Sequence, residues 1–224
     1  MTTLIKICGL RTVEALDAAL DGRADFVGFV FFPPSPRNVS LDLAGELGRR
    51  TDGRARKVAL TVDADEAAHA AIVEALRPDI LQLHGHETPE RVAALKARFG
   101  LPVMKALPIE TAADLAVIPA YAGVADWVLF DARAPKDATR PGGLGRPFDW
   151  TLLKDLDPGL PFMLSGGLEP GNVGQALEVT RAPAVDVSSG VESAPGIKDP
   201  SKIAAFIRAV RAADAARMKV ASSV

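Results

Sequence analysis

Short apolar segments alternate along the chain with longer segments in which alanine and leucine are interspersed with charged residues. The apolar segments have the length and the valine, isoleucine and phenylalanine content of buried strands. Strands are predicted at 4–8, 25–31, 57–62, 80–84, 103–106, 127–131, 162–165 and 185–189. The segments between them have helical length, and helices are predicted at 11–21, 41–51, 65–76, 88–99, 110–118, 149–155, 170–180 and 199–214.

Eight strand-then-helix units with mostly short connections predict a parallel sheet. Eight is also the number of strands that closes a (β/α)8 barrel, and 224 residues suit a compact one. An open doubly wound sheet more often has about five to seven strands and a glycine-rich first turn, but no G-x-G-x-x-G follows the first strand here. We therefore predict one α/β domain, a (β/α)8 TIM barrel over residues 1–214, and a frayed tail at 215–224.

Composition narrows the class of protein. A formal net charge of −2 argues against a nucleic-acid-binding surface. No apolar run approaches the roughly 18 residues that span a bilayer, and the N-terminus lacks a signal-peptide pattern. A single cysteine suits a reducing compartment. These features predict a cytoplasmic protein with no membrane or nucleic-acid partner, and they fit a monomer or a homodimer equally.

Side-chain alternation places two reactive groups at the same end of the predicted barrel. Lys6 and Cys8 share one face of the first strand, while Ile5 and Ile7 suit the helix-facing side. Asp131 ends the sixth strand as Cys8 ends the first. Both are expected to point into the C-terminal mouth, where a thiol and a carboxyl can serve as base and acid. Taken singly, each has an equally good alternative, a small buried hydrophobe for the thiol and a loop cap for the carboxylate.

Lys6 would lie one layer below Cys8, where an unpaired ammonium is costly. Since the eighth strand closes against the first, Asp186 is the nearest candidate partner. Such a pair is expected to raise the positive potential beneath the thiol.

Glycine and serine follow the last two strands. Gly166 and Gly167 come after the seventh, and Ser188, Ser189 and Gly190 come at the end of the eighth. Barrels often bind phosphate through these two loops, because glycine lets backbone N–H groups approach an anion. One Gly-Gly pair alone is more often a turn. The two clusters together predict a phosphate site.

Other polar residues have more than one interpretation. Arg37, in the proline-rich loop after the second strand, is either a fork for a carboxylate or phosphate or a structurally paired loop charge. Gln82 and His84 share a strand face and are predicted to line the mouth, although a structural role for His84 is as frequent. His69 and His86 are expected at the surface. No spacing of histidine, cysteine and carboxylates predicts a metal site.

These residues belong to short motifs that occur in a fixed order: Lys6-Ile7-Cys8-Gly9, Gly28-Phe29-Val30-Phe31, Ser35-Pro36-Arg37-Asn38-Val39-Ser40, Gln82-Leu83-His84-Gly85, Asp131-Ala132, Gly142-Gly143-Leu144-Gly145 with Phe148-Asp149-Trp150, Ser165-Gly166-Gly167-Leu168, and Asp186-Val187-Ser188-Ser189-Gly190-Val191-Glu192. Each motif alone is weak. Together, over residues 4–206, they resemble the phosphoribosylanthranilate isomerase family of tryptophan biosynthesis.

The resemblance implies a cofactor-free barrel that binds a phosphosugar. Its reaction is the Amadori rearrangement of N-(5-phospho-β-D-ribosyl)anthranilate to 1-(2-carboxyphenylamino)-1-deoxy-D-ribulose 5-phosphate. It further implies that Asp131 is the general acid, that Cys8 is the general base and that Arg37 holds the anthranilate carboxylate. The loops at Gly166-Gly167 and Ser188-Ser189-Gly190 match the phosphate site.

One departure lies in the long loop after the sixth strand, at 132–148, which we predict to be a mobile lid. This loop has Leu144 where the family usually carries threonine, so no hydroxyl contact is expected from that position. Two alternatives to the isomerase are weighed. A histidine-pathway isomerase would have an aspartate at the end of the first strand, where this chain has Cys8. A non-catalytic phospho-ligand-binding barrel would not need both Cys8 and Asp131.

Overall fold

The predicted strands are all present in the computed structural model, which describes residues 2–135, 142–143, 145 and 147–221. They are β1 Leu4–Cys8, β2 Phe26–Phe31, β3 Arg56–Thr61, β4 Ile80–Leu83, β5 Val103–Ile109, β6 Trp127–Ala132, β7 Phe162–Leu164 and β8 Ala184–Val187. All pairings are parallel and follow the chain order, and β8 closes on β1. The (β/α)8 barrel is therefore confirmed. A small antiparallel hairpin, β9 Glu192–Ala194 and β10 Ile197–Lys198, follows β8.

Seven α-helices surround the described barrel: α1 Val13–Asp21, α2 Leu41–Thr51, α3 Glu66–Leu76, α4 Pro89–Phe99, α5 Ile118–Ala122, α6 Val173–Thr180 and α7 Pro200–Ala221. Two predicted α-helices differ. The segment at 110–118 is mostly a 3₁₀-helix, Ala112–Val117, and the one at 149–155 is a 3₁₀-helix, Trp150–Leu153. Both are short, the range in which 3₁₀ geometry is common. No helix in the described ranges combines the length and apolar character needed to cross a membrane.

The last helix ends later than predicted. It continues past 214 to Ala221, so the part of the predicted frayed tail that the structure describes is helical. Asp214 holds the helix at the end of the predicted range: its carboxylate accepts hydrogen bonds from the Thr3 backbone N–H at 2.9 Å and the Thr3 hydroxyl at 2.6 Å. Arg211 donates to the Thr3 carbonyl at 2.6 Å. These bonds anchor the helix to the start of β1.

The barrel interior is filled in layers. Ile5 and Ile7 face the helices, as predicted, and belong to the large core between strands and helices. A lower inner layer contains Phe26, Met104 and Leu129, among others. An upper inner layer holds Cys8, with Val30 and Leu60 beside it. The packed lower layer forms the floor of the cavity at the C-terminal end of the barrel.

His69 contradicts its predicted surface position. Its side chain is fully buried on α3. Its Nδ1 donates to the Asp65 carbonyl at 2.7 Å, and its Nε2 lies 3.1 Å from the Thr61 hydroxyl. Burial lowers the pKa of His69. His69 lies on the same face of α3 as the buried Ile72 and Leu76. Its polar side chain alone had indicated a surface position.

Candidate active site

Cys8 ends β1 beneath a cavity at the C-terminal mouth, and its side chain is 4% exposed. Gly28, opposite it on β2, makes room for the sulfur. A Cβ at position 28 would lie 2.9 Å from Cys8 Sγ and 3.2 Å from Lys6 Cε. Below the thiol, Lys6 Nζ lies 3.0 Å from Asp186 Oδ1. The predicted inward direction of Lys6 and its pairing with Asp186 are both confirmed.

The charges around the thiol act in opposite directions. Burial raises the pKa of Cys8 and outweighs the lowering effect of the Lys6 and Lys198 ammonium groups. Burial also opposes the charge on Lys6, but Asp186 and Cys8 overcome it and the pKa of Lys6 is raised. The Asp186 carboxylate also raises the pKa of Cys8, so the Lys6 and Lys198 ammonium groups favour the thiolate while burial and Asp186 oppose it.

Asp131, the next-to-last residue of β6, lines the same cavity as Cys8. Its Oδ1 accepts a hydrogen bond from the Ala132 backbone N–H at 2.9 Å, and its Oδ2 lies 3.2 Å from His84 Nε2. His84 also lines the cavity, as predicted. Gln82 does not: it is fully buried one step below, with its Nε2 3.1 Å from His84 Nδ1. Its amide supports the imidazole from inside the barrel.

The glycine and serine loops follow β7 and β8, the two strands that lie between β6 and β1 in the barrel. Gly166 and Gly167 have φ angles of +84° and +65°, which favour glycine. Ser188 donates its hydroxyl to the Cys8 carbonyl at 3.1 Å, and Ser189 begins a short 3₁₀-helix that continues through Gly190. These residues line the cavity, except Gly190, which lies just behind it.

Two features of these loops favour an anion. In the described part of the chain, the backbone N–H groups of Gly166, Gly167, Ser189 and Gly190 donate no hydrogen bond to the protein. Gly190 also packs directly on the Leu168 carbonyl oxygen, where an added Cβ would clash. The two loops therefore approach each other closely and present unpaired donors. Such a concavity of N–H groups is suited to a phosphate.

Arg37 lines the cavity with one edge of its guanidinium already occupied. Its Nε donates to Glu192 Oε1 at 2.7 Å, and its Nη2 donates to Glu192 Oε2 at 2.8 Å and to the Gly143 carbonyl at 3.2 Å. Nη1 donates to none of the residues that the structure describes. Of the two interpretations of Arg37, the structure therefore shows the structural pairing. The other, a fork for a carboxylate or phosphate, stays a prediction for the edge that lines the cavity.

No role was predicted from the sequence for two charged residues that lie behind Arg37. Glu192 and Lys198 lie on the hairpin after β8 and are buried, with Lys198 Nζ 2.8 Å from Glu192 Oε1. Burial opposes ionisation of Glu192, but Arg37 and Lys198 lower the pKa of its carboxyl. No sequence signal pairs Arg37 with Glu192, because they are 155 residues apart.

The predicted lid lies partly outside the described residues, since 136–141, 144 and 146 are not among them. Leu144 is one of these, so its expected lack of a hydroxyl contact stays a prediction. Gly142, which is described, approaches Asp131 closely. A Cβ there would lie 2.6 Å from Asp131 Oδ2 and 2.8 Å from His84 Nε2.

A thiol and a carboxyl group that line one cavity at the mouth of a closed eight-stranded barrel define an enzyme of the (β/α)8 class. A family model described as N-(5'phosphoribosyl)anthranilate (PRA) isomerase matches residues 5–209. The chain belongs to this family.

Relatives by sequence and by structure agree with the match. N-(5'-phosphoribosyl)anthranilate isomerase of Bradyrhizobium diazoefficiens is 66% identical over 212 residues, which are 95% of each chain. The protein of the same name from Nitrobacter winogradskyi is 61% identical over 224 residues, all of both chains.

Among solved structures, phosphoribosyl anthranilate isomerase of Thermotoga maritima has a TM-score of 0.83 at 32% identity, covering 94% of this chain and 100% of that one. A phosphoribosyl anthranilate isomerase in complex with reduced 1-(o-carboxyphenylamino)-1-deoxyribulose 5-phosphate has a TM-score of 0.81 at 30% identity. The match covers 94% of this chain and 100% of that one.

Proposed function

We propose that this protein catalyses the Amadori rearrangement of N-(5-phospho-β-D-ribosyl)anthranilate to 1-(2-carboxyphenylamino)-1-deoxy-D-ribulose 5-phosphate, a step of tryptophan synthesis. The observation that carries the proposal is the shared cavity of Cys8 and Asp131, with anion-binding groups on its walls. The reaction needs one acid and one base, and the substrate carries a carboxylate and a phosphate. The family to which the chain belongs supports this assignment.

Asp131 acts first, as the general acid. Its carboxyl proton passes to the ribose ring oxygen while the bond from that oxygen to C1 breaks, and the nitrogen lone pair forms the C1=N bond of a protonated Schiff base. Cys8 then acts as the general base. Its thiolate removes the proton from C2, and the C–H electrons form a C1=C2 double bond as the C=N electrons return to nitrogen. The resulting enolamine tautomerises to the ketone product.

Cys8 must lose its proton before it can act as the base. The Lys6 ammonium directly beneath it and the Lys198 ammonium behind the wall both favour the thiolate. His84 keeps Asp131 at the mouth through the contact between its Nε2 and the carboxylate at 3.2 Å. Inside the barrel, Lys6 therefore stabilises the charge of Cys8, and His84 orients Asp131.

Two groups of donors hold the ends of the substrate. The outer edge of the Arg37 guanidinium binds the anthranilate carboxylate, since Nη1 is not engaged by the described residues and the opposite edge is fixed by Glu192. Backbone N–H groups of Gly166, Gly167, Ser189 and Gly190 bind the phosphate. We further propose that the enzyme needs no cofactor, works in the cytoplasm and is a monomer or a homodimer.

The loss of substrate fluorescence on turnover tests the function. Purified protein mixed with freshly prepared N-(5-phosphoribosyl)anthranilate is expected to consume it at a rate proportional to enzyme concentration. Binding of inorganic phosphate is measured in parallel by calorimetry. A protein that binds phosphate but leaves the substrate unchanged is the non-catalytic phospho-ligand-binding barrel, and this result would refute the proposed function.

A further inference from the structure

The hairpin after β8 carries a buried ion pair immediately behind the cavity wall. Lys198 on β10 is paired in register with Glu192 on β9, and their side chains are 2% and 4% exposed. The Lys198 ammonium donates to Glu192 Oε1 at 2.8 Å, the Ser188 carbonyl at 2.8 Å and the Ser188 hydroxyl at 3.1 Å. All three of its donors are therefore used, and two of them hold the serine that begins the proposed phosphate loop.

The same carboxylate also holds Arg37. Glu192 accepts both Nε and Nη2 of the guanidinium at 2.7 and 2.8 Å, and it accepts the Gly196 backbone N–H at 3.2 Å. A bidentate pair of this kind fixes the plane of the guanidinium. Lys198 and Glu192 thus connect the loop after β2 to the loop after β8, the two walls that carry the carboxylate and phosphate contacts.

The charges of the group matter as much as its geometry. Arg37 and Glu192 alone would be a neutral pair, and a neutral pair attracts a carboxylate weakly. Lys198 balances Glu192, so the three residues together keep one positive charge beside the cavity. The charge of Arg37 lowers the pKa of Lys198, and Cys8, outside this group, raises it.

We propose that Glu192 and Lys198 are positioning residues for substrate binding. They fix Arg37 and Ser188 relative to each other, and they preserve the positive charge that attracts the two anionic groups of the substrate, its carboxylate and its phosphate. This inference rests on the proposed function for the identity of the substrate. It does not place either residue in contact with the reacting atoms. Both act through Arg37 and through the loop that Ser188 begins.

Two variants and one matched control test the proposal. In Lys198→Met the ammonium contacts are lost, and in Glu192→Gln the bidentate pair is broken. Lys202→Met is the control, because Lys202 Nζ donates to the Glu192 carbonyl at 2.7 Å and does not contact its carboxylate. Loss of a buried charged hydrogen bond is expected to raise KM by about tenfold or more in both variants, with kcat within about threefold of wild type. Lys202→Met should leave both constants within about twofold.

A ligand-binding measurement separates this proposal from the proposed function. The dissociation constant of the reduced product analogue, reduced 1-(o-carboxyphenylamino)-1-deoxyribulose 5-phosphate, is measured by calorimetry for the same proteins. It should rise by about tenfold in Lys198→Met and stay unchanged in Lys202→Met. A wild type that binds the analogue without turning over substrate would refute the function alone. Unchanged KM and unchanged analogue affinity in both variants would overturn the positioning role.

The pH dependence of analogue binding in a Cys8→Ser protein provides a second test, in which Lys198 itself is unchanged. Burial lowers the pKa of Lys198 to about 8, although Glu192 opposes this shift. The pKa of the Glu192 carboxyl is lowered, so Glu192 stays ionised over this range. Cys8→Ser removes the thiol that also acts on the pKa of Lys198. In this background the affinity for the analogue should fall as pH rises from about 7 to about 9, when the positive charge disappears.

An affinity that stays constant over this range in the Cys8→Ser protein would contradict the charge-balancing role. The same titration of the Cys8→Ser, Lys198→Met double variant is expected to be flat and weak. If the double variant shows the same fall in affinity as Cys8→Ser alone, another group is responsible and the proposal is wrong.

Discussion

Lys6 Nζ lies 3.0 Å from Asp186 Oδ1 in the closed interior of the barrel, one layer beneath Cys8. The two residues are 180 positions apart in the chain and become direct neighbours because β1 pairs with β8 in that register. The ion pair is shielded from water, so both its strength and the cost of breaking it are larger than at a surface. The pairing of β8 with β1 that closes the barrel therefore also places a charged pair beneath the thiol of Cys8, the proposed base.

Lys6→Met tests both consequences of that pair. Asp186 would be left buried with only a 3.4 Å contact to the Ser165 hydroxyl, so we expect a loss of about 3–5 kcal/mol in the free energy of unfolding. Without the ammonium the pKa of Cys8 should rise further, as followed by the pH dependence of thiol alkylation. Lys96→Met removes the partly exposed pair with Asp126 and should cost about 1 kcal/mol or less. Unchanged stability and thiol titration in Lys6→Met would disprove the role.

Cys8→Ser and Asp131→Asn test the acid–base pair. A serine hydroxyl is a far weaker base than a thiolate at neutral pH, and an asparagine amide cannot supply the proton. We expect each change to lower kcat by about 10²-fold or more, the scale of acid–base catalysis, with the fold retained by circular dichroism. An Asp131→Asn protein with wild-type kcat would remove this residue from the acid role.

Gly190→Ala tests the close contact between the two phosphate-binding loops. The added Cβ would clash with the Leu168 carbonyl oxygen and push the loops apart. We expect KM to rise and the free energy of unfolding to fall by about 1–3 kcal/mol, the usual cost of overpacking. Gly174→Ala on α6 is the control, because a Cβ there meets no atom within 4 Å. If both alanine variants had wild-type KM, the close approach would not matter for binding.

His69 should make the fold sensitive to mild acid. Burial lowers its pKa in the folded protein below the ordinary value of 6.5, so the unfolded chain binds more protons between the two values. Stability therefore rises with pH across this window and is lost as pH falls below about 6.5. Urea unfolding of wild type and His69→Gln, each at about pH 7.5 and about pH 5.5, should give a smaller pH difference for the variant. Equal pH differences for wild type and His69→Gln would refute the assignment.

Much of the barrel could be predicted because its signals are local. Alternation along β1 separates Ile5 and Ile7 from Lys6 and Cys8, and the same rule applied to β6 directs Asp131 to the mouth. Glycine and serine after the last two strands were visible for the same reason. The wrong prediction for His69 also has a local cause. A polar side chain usually indicates the surface, but both ring nitrogens of His69 have hydrogen-bond partners inside the core.

The number and order of the strands could be predicted from the sequence, and so could the face on which each side chain lies. These features depend on residue type and on the spacing of a few positions, and they place Cys8 and Asp131 at the same end of the barrel. Which charged residues pair with each other became known from the three-dimensional fold. Arg37, Glu192 and Lys198 form one buried group because the hairpin after β8 folds against the loop after β2. The reason is physical: an ion pair depends on distance and burial, and both are set by chain segments far apart in sequence.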